Sequence, residues 1–174
     1  MPRLIFLFAA TALAVSLLVA PGTRAIPQQD DKKAVENVVR VFEQAVEDYD
    51  LDKCNSLLMP QTEWIGAMPS LPGPAPASKG LDELRAYKEA KVKLINRPHD
   101  VVVQVHGDVA WVTLIVDVTI AFDNDTARAF VHAGPNEREW VIPYAESEVL
   151  LKTPKGWRII MGHSSAMSKP AATK

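Results

Sequence analysis

Every even-numbered position from Ala110 to Phe122 is apolar: Ala110, Val112, Leu114, Val116, Val118, Ile120 and Phe122. The odd positions between them include Trp111, Thr113, Ile115, Asp117 and Thr119. A period of two belongs to an extended strand whose side chains alternate between faces. One face of this long strand must therefore be covered by other apolar elements. The odd face is too apolar for plain solvent exposure, which points to a partner surface. Asp117 is read onto that outer face. Glu146, Glu148 and Arg158 are expected to share it and to form cross-strand charge pairs. This second face is the sequence argument for a homodimer.

The covering elements lie upstream. Val35, Val38, Val39, Phe42, Val46 and Tyr49 recur at helical spacing after the acidic start Asp30-Asp31. Glu36, Asn37, Arg40, Glu43 and Glu47 are assigned to the opposite, polar face. After Asp50-Leu51-Asp52, the residues Leu51, Cys54, Leu57 and Leu58 mark a short second helix, ended by Pro60. Thr62 to Ala67 reads as a short strand. Met68 to Ser78 holds Pro69, Pro72, Pro74 and Pro76 and reads as a loop, either an ordered lid or a surface connection. Ser78 is placed as the cap of a third helix running to about Ile95, with Asn96-Arg97-Pro98 ending it.

The remainder reads as strands over His99 to His106, Val109 to Phe122, Glu137 to Lys152 and Trp157 to Ser165. Gly107-Asp108 and Thr153-Pro154-Lys155-Gly156 supply turns. Residues 126–132 either pair as a short strand or stay irregular. Helices followed by a run of antiparallel strands predict an α+β domain, with a curved sheet wrapped around the N-terminal helices.

Residues 1–25 differ from the rest. Arg3 precedes an uncharged apolar run from Leu4 to Ala20, Pro21-Gly22 breaks it, and Thr23-Arg24-Ala25 ends on a small residue. This layout reads as a secretory signal peptide. A retained transmembrane anchor is the competing reading. Cleavage would leave an exported, periplasmic or extracellular, protein with no stable membrane anchor. The domain then spans residues 26–166, and residues 167–174 form a disordered tail. The chain of 174 residues carries 19 Lys and Arg against 21 Asp and Glu, a balance that offers no nucleic-acid footprint. Its lone cysteine, Cys54, rules out an intramolecular disulfide and fits a buried thiol.

Three stretches carry a resemblance. One is the first helix followed by Asp50-Leu51-Asp52, Leu57-Leu58 and Thr62-Glu63-Trp64. The others are Gly107-Asp108-Val109-Ala110-Trp111-Val112 and Gly156-Trp157-Arg158-Ile159-Ile160 leading to His163-Ser164-Ser165. In order and spacing the chain resembles the nuclear-transport-factor-2-like superfamily, and within it the SnoaL-like domain family. The resemblance implies a cone-shaped domain, an internal pocket and frequent homodimers through the outer sheet face. It does not settle function, because this fold hosts enzymes and non-catalytic modules alike. Aligned on Asp50-Leu51-Asp52, the tyrosine of ketosteroid isomerase falls at Phe42 and its general-base aspartate at about Gly66. Phe42 has no hydroxyl and Gly66 cannot accept a proton, so the chain departs from that chemistry at both positions.

His163 is the leading single candidate. Trp157, Ile159 and Met161 form one apolar strand face, and a strict period of two puts His163 and Ser165 at its end, suited to a pocket rim. Trp64, Tyr49 and Tyr87 are candidates to line the same cavity. These residues define three hypotheses. The first is binding of a small apolar or amphipathic molecule through His163, Ser165, Trp64, Tyr49 and Tyr87. The second is a lyase- or isomerase-like enzyme using His163 as acid or base. The third is a dimerisation module whose cone is filled by Trp64, Trp157 and Met161. No cofactor motif is present. His99, His106, His132 and His163 are scattered, so no metal site is expected. Asn124-Asp125-Thr126 matches a glycosylation acceptor pattern.

Overall fold

The computed structural model describes residues 28–66, 73–167 and 171–173. The signal-peptide reading of residues 1–25 lies outside these residues, as do residues 68–72 of the proline-rich stretch. No helix among the described residues is long and apolar enough to cross a membrane.

The long helix α1 spans Gln28–Glu47 and the short α2 spans Leu51–Leu57. Tyr49 takes a left-handed backbone (φ 56°) between them, and Asp50 accepts from the Lys53 amide to cap α2. The chain turns extended at Leu58 and runs directly into β1, Leu58–Ile65. Pro60 thus sits inside a strand rather than ending a helix. It falls where the pairing of β1 is irregular, between Leu58 and Glu63, so its missing N–H breaks no regular ladder. Within the expected loop, β2 (Pro74–Pro76) pairs with Trp64 and its neighbours on β1.

Helix α3 (Ala77–Glu89) is shorter than its sequence pattern implies, and Ser78 lies inside it rather than capping it. Lys91 adopts φ 60° and the Val92 amide reaches back to the Tyr87 carbonyl, which closes the helix six residues before Ile95. Leu94, Asn96 and Pro98 consequently belong to β3, Lys93–His106. Pro98 is tolerated because β3 is an edge strand. Strand β4 (Val109–Ala121) follows through a turn at Gly107. Residues 125–130 form a helical turn, α4, where a strand or irregular segment is expected; Asn124 accepts from the Ala127 amide and caps it. Strands β5 (Glu139–Thr153) and β6 (Gly156–Ala166) complete the hairpins. The tail is not wholly irregular: β7 (Ala171–Thr173) pairs with Glu139–Val141, the end of β5 that β6 does not reach.

The strand order is β2-β1-β6-β5-β4-β3, antiparallel except for β1 with β6. The even side chains of β4 face inward as the alternation requires, against Val35, Val39 and Phe42 of α1. Lys152 and the Trp157 indole both donate to Asp31, tying the first turn of α1 to the β5–β6 hairpin. Cys54 is buried, and burial raises its thiol pKa to about 12.

One irregularity decides the geometry of the site. Val149 pairs with Met161 and Leu150 with Ile159, so Ile160 is an extra residue on β6. The bulge reverses the facing of everything after it. Trp157 and Ile159 point inward before it, and Gly162 and Ser164 point inward after it. The buried Thr62 hydroxyl lies 2.7 Å from the Ile159 carbonyl beside the bulge.

Candidate functional site

Between α1, α3 and the inner sheet face lies a cavity of about 120 Å³. A single buried water needs about 10–15 Å³ by a comparable measure, so this space suits a small ring or short chain. Its walls are apolar: Phe42, Leu58, Trp64, Leu84, Val118 and Ile120 are among them. Phe42 and Trp64 stack with centroids 5.5 Å apart. Gly162 creates the space for the indole, because a Cβ there would lie 2.3 Å from Trp64 Cδ2.

Polar groups gather at one end. The Trp64 indole donates to Ser164 Oγ (3.0 Å), and Ser164 donates to Glu146 Oε1 (2.9 Å). From the helix side, Asn96 Nδ2 donates to Glu43 Oε2 (2.9 Å), and the Asn96 backbone amide donates to Glu47 (2.8 Å). Glu148 lies behind Glu43 and Glu146 and is only 1% exposed. One carboxylate oxygen from each of Glu43, Glu146 and Glu148 lies within 4.8 Å of the others, close enough for a metal ion to bridge them. Glu146 Oε2, both oxygens of Glu148 and Asn96 Oδ1 are buried without a hydrogen-bond partner.

Burial sets the protonation of this cluster. Desolvation raises Glu148 to about 8, with repulsion from Glu146 adding to it. Desolvation lifts Glu146 to about 7 against the lowering effect of the Ser164 hydrogen bond. Glu43 is pushed well above the ordinary carboxylate range by burial and then by Glu146 and Glu148, although Asn96 opposes the shift. Glu146 and Glu148 therefore titrate near neutral pH, and burial favours the protonated form of Glu43 beside them.

A family model described as the SnoaL-like domain matches residues 35–169, most of the chain and every element that builds the cavity. The protein belongs to the SnoaL-like domain family. Solved structures share the fold of this SnoaL-like domain. A nuclear transport factor 2-like superfamily protein from Salmonella enterica is 18% identical, with a TM-score of 0.63, covering 81% of this chain and 94% of the other. A ketosteroid isomerase-like protein from Erwinia carotovora is 15% identical, with a TM-score of 0.59 and coverage of 80% and 98%. The CaMKII hub of S. rosetta is 24% identical, with a TM-score of 0.58 and coverage of 78% and 95%. No curated protein matches the sequence.

The SnoaL-like cone collects only part of the expected site. Trp64 and Tyr87 line the cavity. Tyr49 does not; its hydroxyl donates to the Val92 carbonyl at 2.8 Å and pins the end of α1 to the start of β3. His163 and Ser165 fall on the outer face, bonded to each other at 3.1 Å, because the Ile160 bulge shifts the alternation by one. Met161 likewise points outward and is 49% exposed, so it does not fill the cone.

Glu146 and Glu148 move the opposite way, from the expected outer face to the interior. Glu148 pairs with Val112 and Glu146 with Leu114, both inward residues of β4, and partners across a ladder share a face. Asp117 and Arg158 lie on the outer sheet face as expected, with Asp117 3.4 Å from His99 Nε2. Glu43 also leaves its assigned polar face and is only 5% exposed. The i,i+4 series Val35, Val39, Glu43 holds the signal for this placement. At Gly66 (φ 71°) an added Cβ would meet the Ser164 carbonyl at 2.2 Å, so no acidic side chain fits there.

Proposed function

We propose that this SnoaL-like domain binds a small amphipathic molecule in its cone, with the apolar body between the aromatic walls and the polar end at Glu43, Glu146 and Asn96. The observation that carries this reading is an apolar cavity with unpartnered acceptors at one end. Buried polar atoms are nearly always hydrogen-bonded, so such atoms on residues that line a cavity favour an occupant that supplies the partners. The test is a thermal-shift screen of small alcohols, ketones and amines, read together with the ¹⁵N signal of the Trp64 indole. A ligand should raise the melting temperature and move that signal. If no compound does either, the reading fails.

Proton-transfer catalysis is the second reading, favoured by carboxyl groups that titrate near neutrality inside an apolar pocket. Glu146 takes the acid–base role in it. A lyase- or isomerase-like turnover abolished by Glu146→Gln and untouched by His163→Ala would support it. Turnover that survives Glu146→Gln would remove it.

The outer sheet face supports a further part of the proposal, a homodimer. Trp111 pairs with Val149, and Val149 with Met161, which forms an apolar row across β4, β5 and β6. Trp111 is 57% exposed, an unusual position for a tryptophan without a partner. Export rests on the Met1–Ala25 pattern alone, and the mass of the protein recovered outside the cytoplasm tests it.

A further inference from the structure

We propose that the cavity selects a small organic ammonium ion with a compact apolar body, its nitrogen donating to Glu146, Asn96 and Glu43. The proposal rests on the binding reading above and narrows the ligand to one chemical class. Its first support is the donor–acceptor inventory. Glu146 and Asn96 line the cavity, and each carries a buried acceptor without a partner, Oε2 and Oδ1; Glu148, whose two oxygens are also bare, has one carboxylate oxygen within 4.8 Å of Glu43 and Glu146. All of these are acceptors when the carboxyls are ionised. An ammonium group offers up to three donors and no acceptor.

Asn96 provides the second, independent support. The residue is only 9% exposed. Its Nδ2 faces the Glu43 backbone carbonyl (3.4 Å) as well as the Glu43 carboxylate. A carbonyl only accepts, so the amide orientation is fixed and Oδ1 is left free for a donor. Charge supplies the third support. Among the described residues, no lysine, arginine or histidine lines the cavity to act as a counter-ion to the acids. A carboxylate ligand would meet repulsion, and an alcohol would supply one donor where several acceptors wait. The ring faces of Phe42 and Trp64 suit the polarised CH₂ groups beside an ammonium nitrogen.

The experiment compares cyclohexylmethylamine, cyclohexylmethanol and cyclohexanecarboxylate, which share one apolar body. Binding is measured by titration calorimetry at pH 8.5 and by the Trp64 indole ¹⁵N shift. The amine should bind at least about 10-fold tighter than the alcohol, and the carboxylate should not bind. Glu146→Gln should cost the amine about 10-fold or more and leave the alcohol within about 3-fold. The wild-type indole shift reports the same ranking even if that variant fails to fold. An alcohol that binds as well as the amine overturns this proposal and leaves the binding reading standing. Failure of all three probes overturns both. Manganese(II) that binds alone and is not displaced by the amine overturns the proposal in favour of a metal site.

Discussion

The two faces of one sheet treat charge in opposite ways. On the outer face, Asp117 and His99 are half exposed and solvated, and their contact has little energetic consequence. On the inner face, Glu148 and Glu146 occupy the same kind of strand position, yet burial moves their titration toward neutrality. The outer face meanwhile exposes Trp111 and Met161, side chains that ordinarily belong inside. Each face thus carries residues that suit the other, which is what a ligand site and a partner surface require. Residue type alone does not identify the face; strand register does.

Neighbouring residues give the sharpest test of this difference. Gly162→Val would drive a side chain into the Trp64 ring from the inner face. A loss of at least about 3 kcal/mol in denaturant unfolding is expected, because the indole must leave its stack on Phe42. Met161→Ala, one residue earlier and outward, should cost less than about 1 kcal/mol in the monomer. Equal effects would mean that the bulge at Ile160 is misplaced.

The acids come next. Glu146 and Glu148 have folded-state pKa values of about 7 and about 8, above the ordinary 4.5 that applies once the chain unfolds. The folded state therefore binds protons more tightly. The stability this gives is complete below pH about 4.5 and is lost as pH rises through 7 and 8. The melting temperature should fall between pH 5 and 8.5, and Glu148→Gln should flatten that fall. At pH 8.5 this variant should be about 1–3 kcal/mol more stable than the wild type. A wild-type profile that rises over this range would contradict the buried cluster.

Trp111→Lys tests the outer face. It should convert a dimer to a monomer in light scattering while changing the stability of the fold by about 1 kcal/mol or less. A wild-type protein that is monomeric at every concentration removes the homodimer.

The legible parts of the fold are those governed by local rules. The period of two in β4 fixed its inner face correctly because the strand has no bulge there. The apolar spacing of α1 marks the centre of its buried stripe at Val35, Val39 and Phe42, but it misses Ala45 and Glu43, whose charge hides its place four residues after Val39. Trp64 and Tyr87 are legible as large aromatics near the helices, but the same rule fails at Tyr49, whose hydroxyl bonds the Val92 carbonyl instead. Glu146 and Glu148 are not legible, because their facing depends on the register between β4 and β5. A two-residue hairpin would have set that register, but here α4 and its flanking loops intervene. The Ile160 bulge is equally silent, because nothing in Ile159-Ile160-Met161 marks an extra residue.

His163 gives the smallest expected effect and the most direct check on that argument. It sits opposite Ser147 on the outer face, with its ring nitrogen near Ser165, and is not among the residues that line the cavity. His163→Ala removes one partly exposed hydrogen bond, so stability should change by less than about 1 kcal/mol. Ligand affinity should stay within about 2-fold of wild type, because nothing at Glu146 or Trp64 moves. If His163→Ala weakened binding 10-fold while the protein stayed folded, the strict alternation along β6 would be right. The bulge, and with it the inward placement of Ser164, would then be wrong.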